Sequence, residues 1–252
     1  MASNKNPFNL PTAKIDLPSK GLIYPIEHVL HQGFVEVVYP GAKQEDILTN
    51  SNYLDKGEAV DKYLDSVLLT EVSFEDFTPG DKDAVMIGIR ILGMGKSYTT
   101  AITLDKKPEP VTFNITTLKE REVDFSLFAP GINEFSYTLV DRNVALKFKL
   151  LFNKDVTDMI AEEAGMKKLQ KDYSADTSLF LKYAITEVNG DRNTKVIRDF
   201  VDRMLQIDTK ELKRYITSVT PAYIWRADGV KANKEIVEDL FVPYTADFFW
   251  PL

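Results

Sequence analysis

Gly95-Lys96-Ser97, within ILGMGKSYTT (91–100), are the residue types that grip a nucleotide phosphate. A phosphate loop also needs an earlier glycine, with four residues between the two, so that successive N–H groups wrap the phosphates. Arg90 holds that position. The loop must also leave a strand and enter a helix, whose N-terminal dipole meets the anion. Here the order is reversed. Thr78 suits an N-cap, Pro79 the first helical position, and Asp81 the far corner of a capping box. Val85, Gly88, Ile91, Leu92 and Gly95 then recur at helical spacing, and SYTTAITL is β-branched and aromatic. Gly93 and Gly95 are therefore expected to end a helix, with Lys96 near the negative end of its dipole. No nucleotide is expected at Lys96.

Other chemistry finds few candidates. The chain has no cysteine, which excludes disulfides, thiolate catalysis and Cys-based zinc sites. His28 and His31 are the only histidines, and only Glu27 and Glu36 lie near them in sequence, so surface histidines are expected rather than a metal pair. No G-x-S-x-G, GxGxxG, HExxH or EF-hand pattern occurs. The acids are numerous enough for a glycosidase-like pair, but they lie beside Lys and Arg along helix faces, as in KDVTDMIAEEAGMKK. No catalytic residue, cofactor or metal is expected, and no small-molecule substrate.

A net charge of −7 with no basic run argues against nucleic acid as a partner. The opening MASNKNPFNLPTAK lacks the apolar core of a signal peptide, and AVMIGIRILGMG is too short to span a bilayer, so no membrane role is expected.

The elements that would position any site read as α+β. Residues 1–96 form an N-terminal arm, the strand GFVEVVYP, the helices AKQEDILTN and GEAVDKYLDSVLL, and the capped helix at about 79–94. Within LPSKGLIYP, Pro18 fixes one φ and Gly21 can take positive φ, making a structural turn that anchors the arm. Residues 97–152 form a central antiparallel β region with strand-like runs YTTAITL, EPVTFNITTL, REVDFSLF, EFSYTLV and NVALKFKLLF. Leu146, Phe148 and Leu150 alternate with Lys147 and Lys149, which marks one wet face.

Residues 153–252 form a helical C-terminal half. Asn153 caps a helix with Val156, Ile160 and Ala164 on one side, and DTSLFLKYAITEVNG stops at Asn189-Gly190. A further helix carries the stripe Val196, Ile197, Phe200, Met204 and Ile207, and Asp208 caps the last one. The half ends in a β-hairpin around Asp228-Gly229 and the tail TADFFWPL. In that tail Phe248, Phe249 and Trp250 are consecutive, and neither helix nor strand turns three successive side chains to one face. They either close the core or dock into a partner, so all three are candidate partner-binding residues.

Taken in order, LPSKGLIYP, GFVEVVYP with QEDIL, KGEAVDKYL, IRILGMGKSY, EVDFSLF, LKFKLLFNKDVTDMI, IRDFVDRM and the terminal FFWP resemble the baseplate hub and hub-assembly proteins of contractile-tailed, T-even-like bacteriophages. The resemblance covers most of the chain. It implies a tail-baseplate protein, structural component or assembly chaperone, that binds other tail and baseplate hub proteins. Its place would be the host cytoplasm during assembly or the virion tail baseplate. Relatives with Cys pairs imply a zinc staple; LDKKPEPVTF and WRADGVKANKEIV lack Cys, so that role does not carry over. A cellular adaptor, or an enzyme without a recognisable motif, is the alternative from a different class.

Overall fold

The computed structural model describes residues 10–56, 58–104, 107–139, 142–169, 176–228, 230–232, 235–244 and 248–249. The fold is α+β, with small antiparallel sheets and a largely helical C-terminal half.

Strands β1 (Thr12–Asp16) and β2 (Phe34–Val38) pair antiparallel, Thr12 facing Val38 and Asp16 facing Phe34. Helices α1 (Ala42–Leu48), α2 (Ser51–Lys56) and α3 (Ala59–Val67) follow, one more than the sequence pattern marked. The apolar residues at helical spacing in GEAVDKYLDSVLL face inward: Leu64, Val67 and Leu68 are buried and Val60 half-buried, with Tyr63 buried beside them. Helix α4 (Pro79–Met94) begins where its N-cap chemistry says it should, the Thr78 hydroxyl accepting from the Asp81 N–H. Asp81 does not close the capping box. Its carboxylate accepts from the Ser19 N–H and the Tyr24 hydroxyl, and the Thr78 N–H donates to Tyr24 Oη instead. A long-range partner has displaced the local one.

The central β region is divided among three sheets. Strands β3 (Ser97–Leu104) and β4 (Lys107–Asn114) make a long two-stranded hairpin. Pro108 and Pro110 remove two N–H donors from β4, which suits an edge strand. Strand β5 (Lys119–Glu120) pairs far along the chain with β9 (Tyr223–Ile224). Strands β6 (Phe135–Leu139) and β7 (Val144–Phe148) are joined by β8 (Ile185–Val188). Leu146, Phe148 and Leu150 face the core, as their alternation with lysine requires. REVDFSLF is not a strand: past β5 it runs as loop with a single 3-10 turn at Phe125–Leu127, whose turn Asp124 caps.

The C-terminal half departs from its periodicity in several places. Helix α5 (Asn153–Leu169) includes Asn153 rather than starting after it, and none of its described residues is buried; Ile160 is 63% exposed. Helix α6 (Asp176–Ala184) stops five residues before the Asn189-Gly190 signal, because Ile185–Val188 completes the edge of β7 as β8. Helices α7 (Thr194–Asp202) and α8 (Gln206–Ser218) bury Ile197, Val201, Leu212 and Ile216, whereas Val196 and Ile207 face solvent. Asp208 lies inside α8, buried and paired with Arg142, not at its cap. The terminal hairpin is nested: β10 (Arg226–Ala227) pairs with β13 (Leu240–Phe241), and β11 (Val230–Ala232) with β12 (Glu235–Val237). In its inner ladder Ala232 faces Glu235, so the pairing closes beyond Asp228; Gly229 lies outside the described residues. One connected cluster of buried side chains runs from Leu17 to Phe249 through all three sequence segments.

Candidate functional site

The stretch with phosphate-loop residue types is built around the one that breaks the motif. Arg90, 2% exposed on α4, donates through Nε to the Phe248 carbonyl at 2.6 Å, and through its two Nη atoms to the carbonyls of Gly95 (2.9 Å) and Ser97 (3.0 Å). The guanidinium thus caps the carbonyl end of its own helix, starts the following strand and holds the C-terminal segment. The carbonyls of Gly95 and Ser97 are turned to the Arg90 guanidinium, and the stretch leaves a helix for a strand, the reverse of the order a phosphate loop needs. Gly95 ends the helix at φ +79°, its N–H bonded to the Ile91 carbonyl, whereas Gly93 stays helical. Burial pulls the Arg90 pKa below its ordinary value, and the neighbouring Tyr63 and Tyr98 hydroxyls act in the opposite sense.

The segment that Arg90 holds carries two of the three tail aromatics. Phe248 is 0% and Phe249 2% exposed. The Phe248 ring lies 5.2 Å from Tyr98, 5.7 Å from Trp225 and 5.1 Å from both Tyr244 and Phe249, and Phe249 meets the Tyr63 ring edge-on at 5.4 Å. These two phenylalanines pack into the core; Trp250 lies outside the described residues.

Their burial shapes a groove of about 480 Å³ between α1, the end of α4 and Phe249, with Pro40, Leu48, Met94 and Phe249 among its walls. Tyr63 also lines it. This side chain is 1% exposed and its hydroxyl has no hydrogen-bond partner among the described residues. Burial pushes the Tyr63 pKa up to about 12; the Arg90 charge opposes that shift and the Glu45 carboxylate adds to it.

The PSKG turn is a structural site, as the residue types required. Pro18 and Ser19 are buried, Gly21 is at φ +76°, and the Gly21 N–H donates to Ser19 Oγ. Asp81 ties the turn to the start of α4 through Ser19 and Tyr24. Burial raises the Asp81 pKa against the effect of those hydrogen bonds, and it raises that of Tyr24 as well.

Elsewhere the polar groups are committed to structure. Next to Tyr24 and His28 is a hollow of about 410 Å³, but its Lys149 and Asp155 pair at 2.7 Å and Asp155 also accepts from the Phe152 N–H at the start of α5. His28 Nδ1 accepts from the Leu30 N–H, and His31 Nδ1 lies 2.9 Å from the Tyr24 carbonyl. Among the described residues no three potential metal ligands come together, and no helix is long and apolar enough to cross a membrane.

Sequence reasoning missed Tyr63, which hides in the α3 stripe, and Phe241. The latter is 57% exposed and, with Ala101, Ile102, Leu240 and Pro243, forms an apolar surface between the β3 and β13 strands. Alternation was the available signal: in LFVP either Leu240 or Phe241 had to face outward on a two-stranded ladder. No protein-family model, curated protein or solved structure matches the chain.

Proposed function

We propose that this chain is a protein-binding factor of the tail baseplate hub in a contractile-tailed bacteriophage, acting as component or assembly chaperone and catalysing no reaction. The ordered run of short motifs supplies the class. The observation that carries the binding mode is Phe241, a large aromatic more than half exposed beside Ile102 and Leu240. Exposed aromatics set in an apolar surface are typical interface anchors. The adjoining β3–β4 hairpin is a two-stranded sheet, to which a partner strand can add.

The test is Phe241→Ser in a phage that encodes the chain. An exposed substitution of this kind should change stability by no more than about 0.5 kcal/mol. Infected cells should nonetheless accumulate unassembled tail proteins. Peptide mass spectrometry then separates the two modes: stoichiometric presence in purified particles marks a component, and presence in lysate alone marks a chaperone. Normal particle yield from a phage lacking the chain would refute the proposal.

A further inference from the structure

The two outer edges of the β3–β4 hairpin are not alike. The Ile115 N–H donates to the Lys96 carbonyl at 3.0 Å, which makes Lys96 and Ile115 a hydrogen-bonded pair. Along the register, Tyr98–Phe113, Thr100–Val111 and Ile102–Glu109 are then hydrogen-bonded pairs as well, and Thr99–Thr112, Ala101–Pro110 and Thr103–Pro108 alternate with them. The main-chain groups of this second set point to the outer edges. On β4 that places Pro108 and Pro110 where two outward donors would be, so its edge is blunted. On β3 the N–H and C=O groups of Thr99, Ala101 and Thr103 point outward, and no described strand pairs with that edge. These three residues are exposed, and Ser97–Leu104 holds neither a charge nor a proline to discourage pairing.

A second free edge borders the same groove. The Val242 N–H donates to the Trp225 carbonyl at 3.0 Å, so Arg226 and Phe241 are a pair without mutual hydrogen bonds in the β10–β13 ladder. The Phe241 N–H and C=O therefore point away from β10, and no described strand lies beside β13 there. Ala101, Ile102 and Thr103 form one wall of the groove, and Leu240, Phe241 and Pro243 the other. Both walls present main-chain donors and acceptors, and no lining side chain is charged.

This pattern selects the occupant. A row of alternating N–H and C=O groups is matched by another extended main chain. The β3 strand of a second copy would bring β4 along one side, so it could pair with one wall only. A segment unpaired on both sides can pair with both. Uncharged walls favour an uncharged segment.

We propose that the groove between β3 and β13 takes an extended, uncharged segment of a partner protein, one that belongs to no sheet of its own. It adds to β3 through Thr99, Ala101 and Thr103, and its apolar side chains meet Ile102, Leu240 and Phe241. This rests on the protein-binding reading above and specifies the edge and the kind of segment.

The test is amide hydrogen exchange of the full chain, followed by NMR. In the free chain the Ala101 and Thr103 amides should exchange fast, while β4 protects those of Thr100 and Ile102. The probe is an acetylated, amidated octapeptide of alternating threonine and valine. It should protect the Ala101, Thr103 and Phe241 amides. Two analogues carry N-methyl groups, one on its valines and the other on its threonines, so each loses the donors of one edge. Each should bind about tenfold more weakly, the worth of one or two hydrogen bonds. Failure of the peptide to protect Ala101 and Thr103 would overturn the proposal, as would either analogue binding as well as the parent peptide. Slow exchange of Ala101 and Thr103 in the free chain would overturn it too. The edge would then be covered by a second copy if the protection is lost on dilution, and by the chain's own terminus if it is not. None of these outcomes touches the hub-assembly reading, which is decided by particle yield.

Discussion

Replacing Arg90 tests how the C-terminal segment is held. In Arg90→Met the stem of the side chain stays and the guanidinium goes. Three carbonyls lose a charged donor: Phe248 at 2.6 Å, Gly95 at 2.9 Å and Ser97 at 3.0 Å. Gly95 and Ser97 are exposed, so water can replace the donor there at little cost. Phe248 is fully buried, and leaving its carbonyl unpaired costs about 1–3 kcal/mol. Relief from burying a cation offsets part of the total, while loosening of Phe248 against Tyr98 and Trp225 adds to it. The net expectation is a loss of about 2–4 kcal/mol. Urea unfolding measures this as a lower midpoint at unchanged slope, and near-ultraviolet circular dichroism reports the loss of fixed aromatic packing. Arg90→Lys is the decisive partner experiment. An ammonium cannot fork to three carbonyls, so lysine retains the buried charge and loses most of its bonds. It should be at least as unstable as Arg90→Met. A lysine variant near parental stability would refute the reasoning, because charge alone would then suffice.

Two further outcomes follow from the same geometry. Gly21 and Gly95 share nearly the same φ, +76° and +79°, but a Cβ at Gly21 would lie 2.4 Å from the His31 carbonyl oxygen whereas one at Gly95 meets nothing. Gly95 also has ψ 179°, a conformation essentially confined to glycine, so Gly95→Ala should cost about 1–3 kcal/mol in backbone strain alone, and Gly21→Ala about 2–4 kcal/mol from strain and overlap together; a Gly21→Ala urea midpoint equal to the parent's would sink the turn's role. Asp81 has its pKa raised by burial, so between the ordinary aspartate value and its own the folded chain binds more protons than the unfolded one. Its contribution makes stability fall as pH rises through that window, from about pH 4 upward, and Asp81→Asn should flatten the fall in denaturation midpoints across the range.

The features legible in the residue order are local. The cap at Thr78, the reach of α4, the positive φ of Gly21, the strand at Phe34–Val38 and the inward face of Leu146 and Phe148 follow from turn chemistry and periodicity over a few residues. Each is a short-range free-energy preference that distant residues have no reason to override. Where distant residues did have a reason, long-range contacts prevailed. Asp81 left its capping box for Ser19 and Tyr24, because a buried N–H and a buried hydroxyl both needed an acceptor. Ile185–Val188 left its helix because the β7 edge offered a ladder and β-branched residues fit it. Ile160 was left in solvent because no described residue covers that end of α5, and periodicity shows which side is apolar but not whether it is covered. The candidate site lies mostly on this second side. The Gly-Lys-Ser stretch could be rejected as a phosphate loop from residue order alone. That Arg90 would clamp Phe248, and that the Tyr63 hydroxyl would be buried with no hydrogen-bond partner among the described residues, depended on contacts spanning up to 158 residues, which no local pattern encodes.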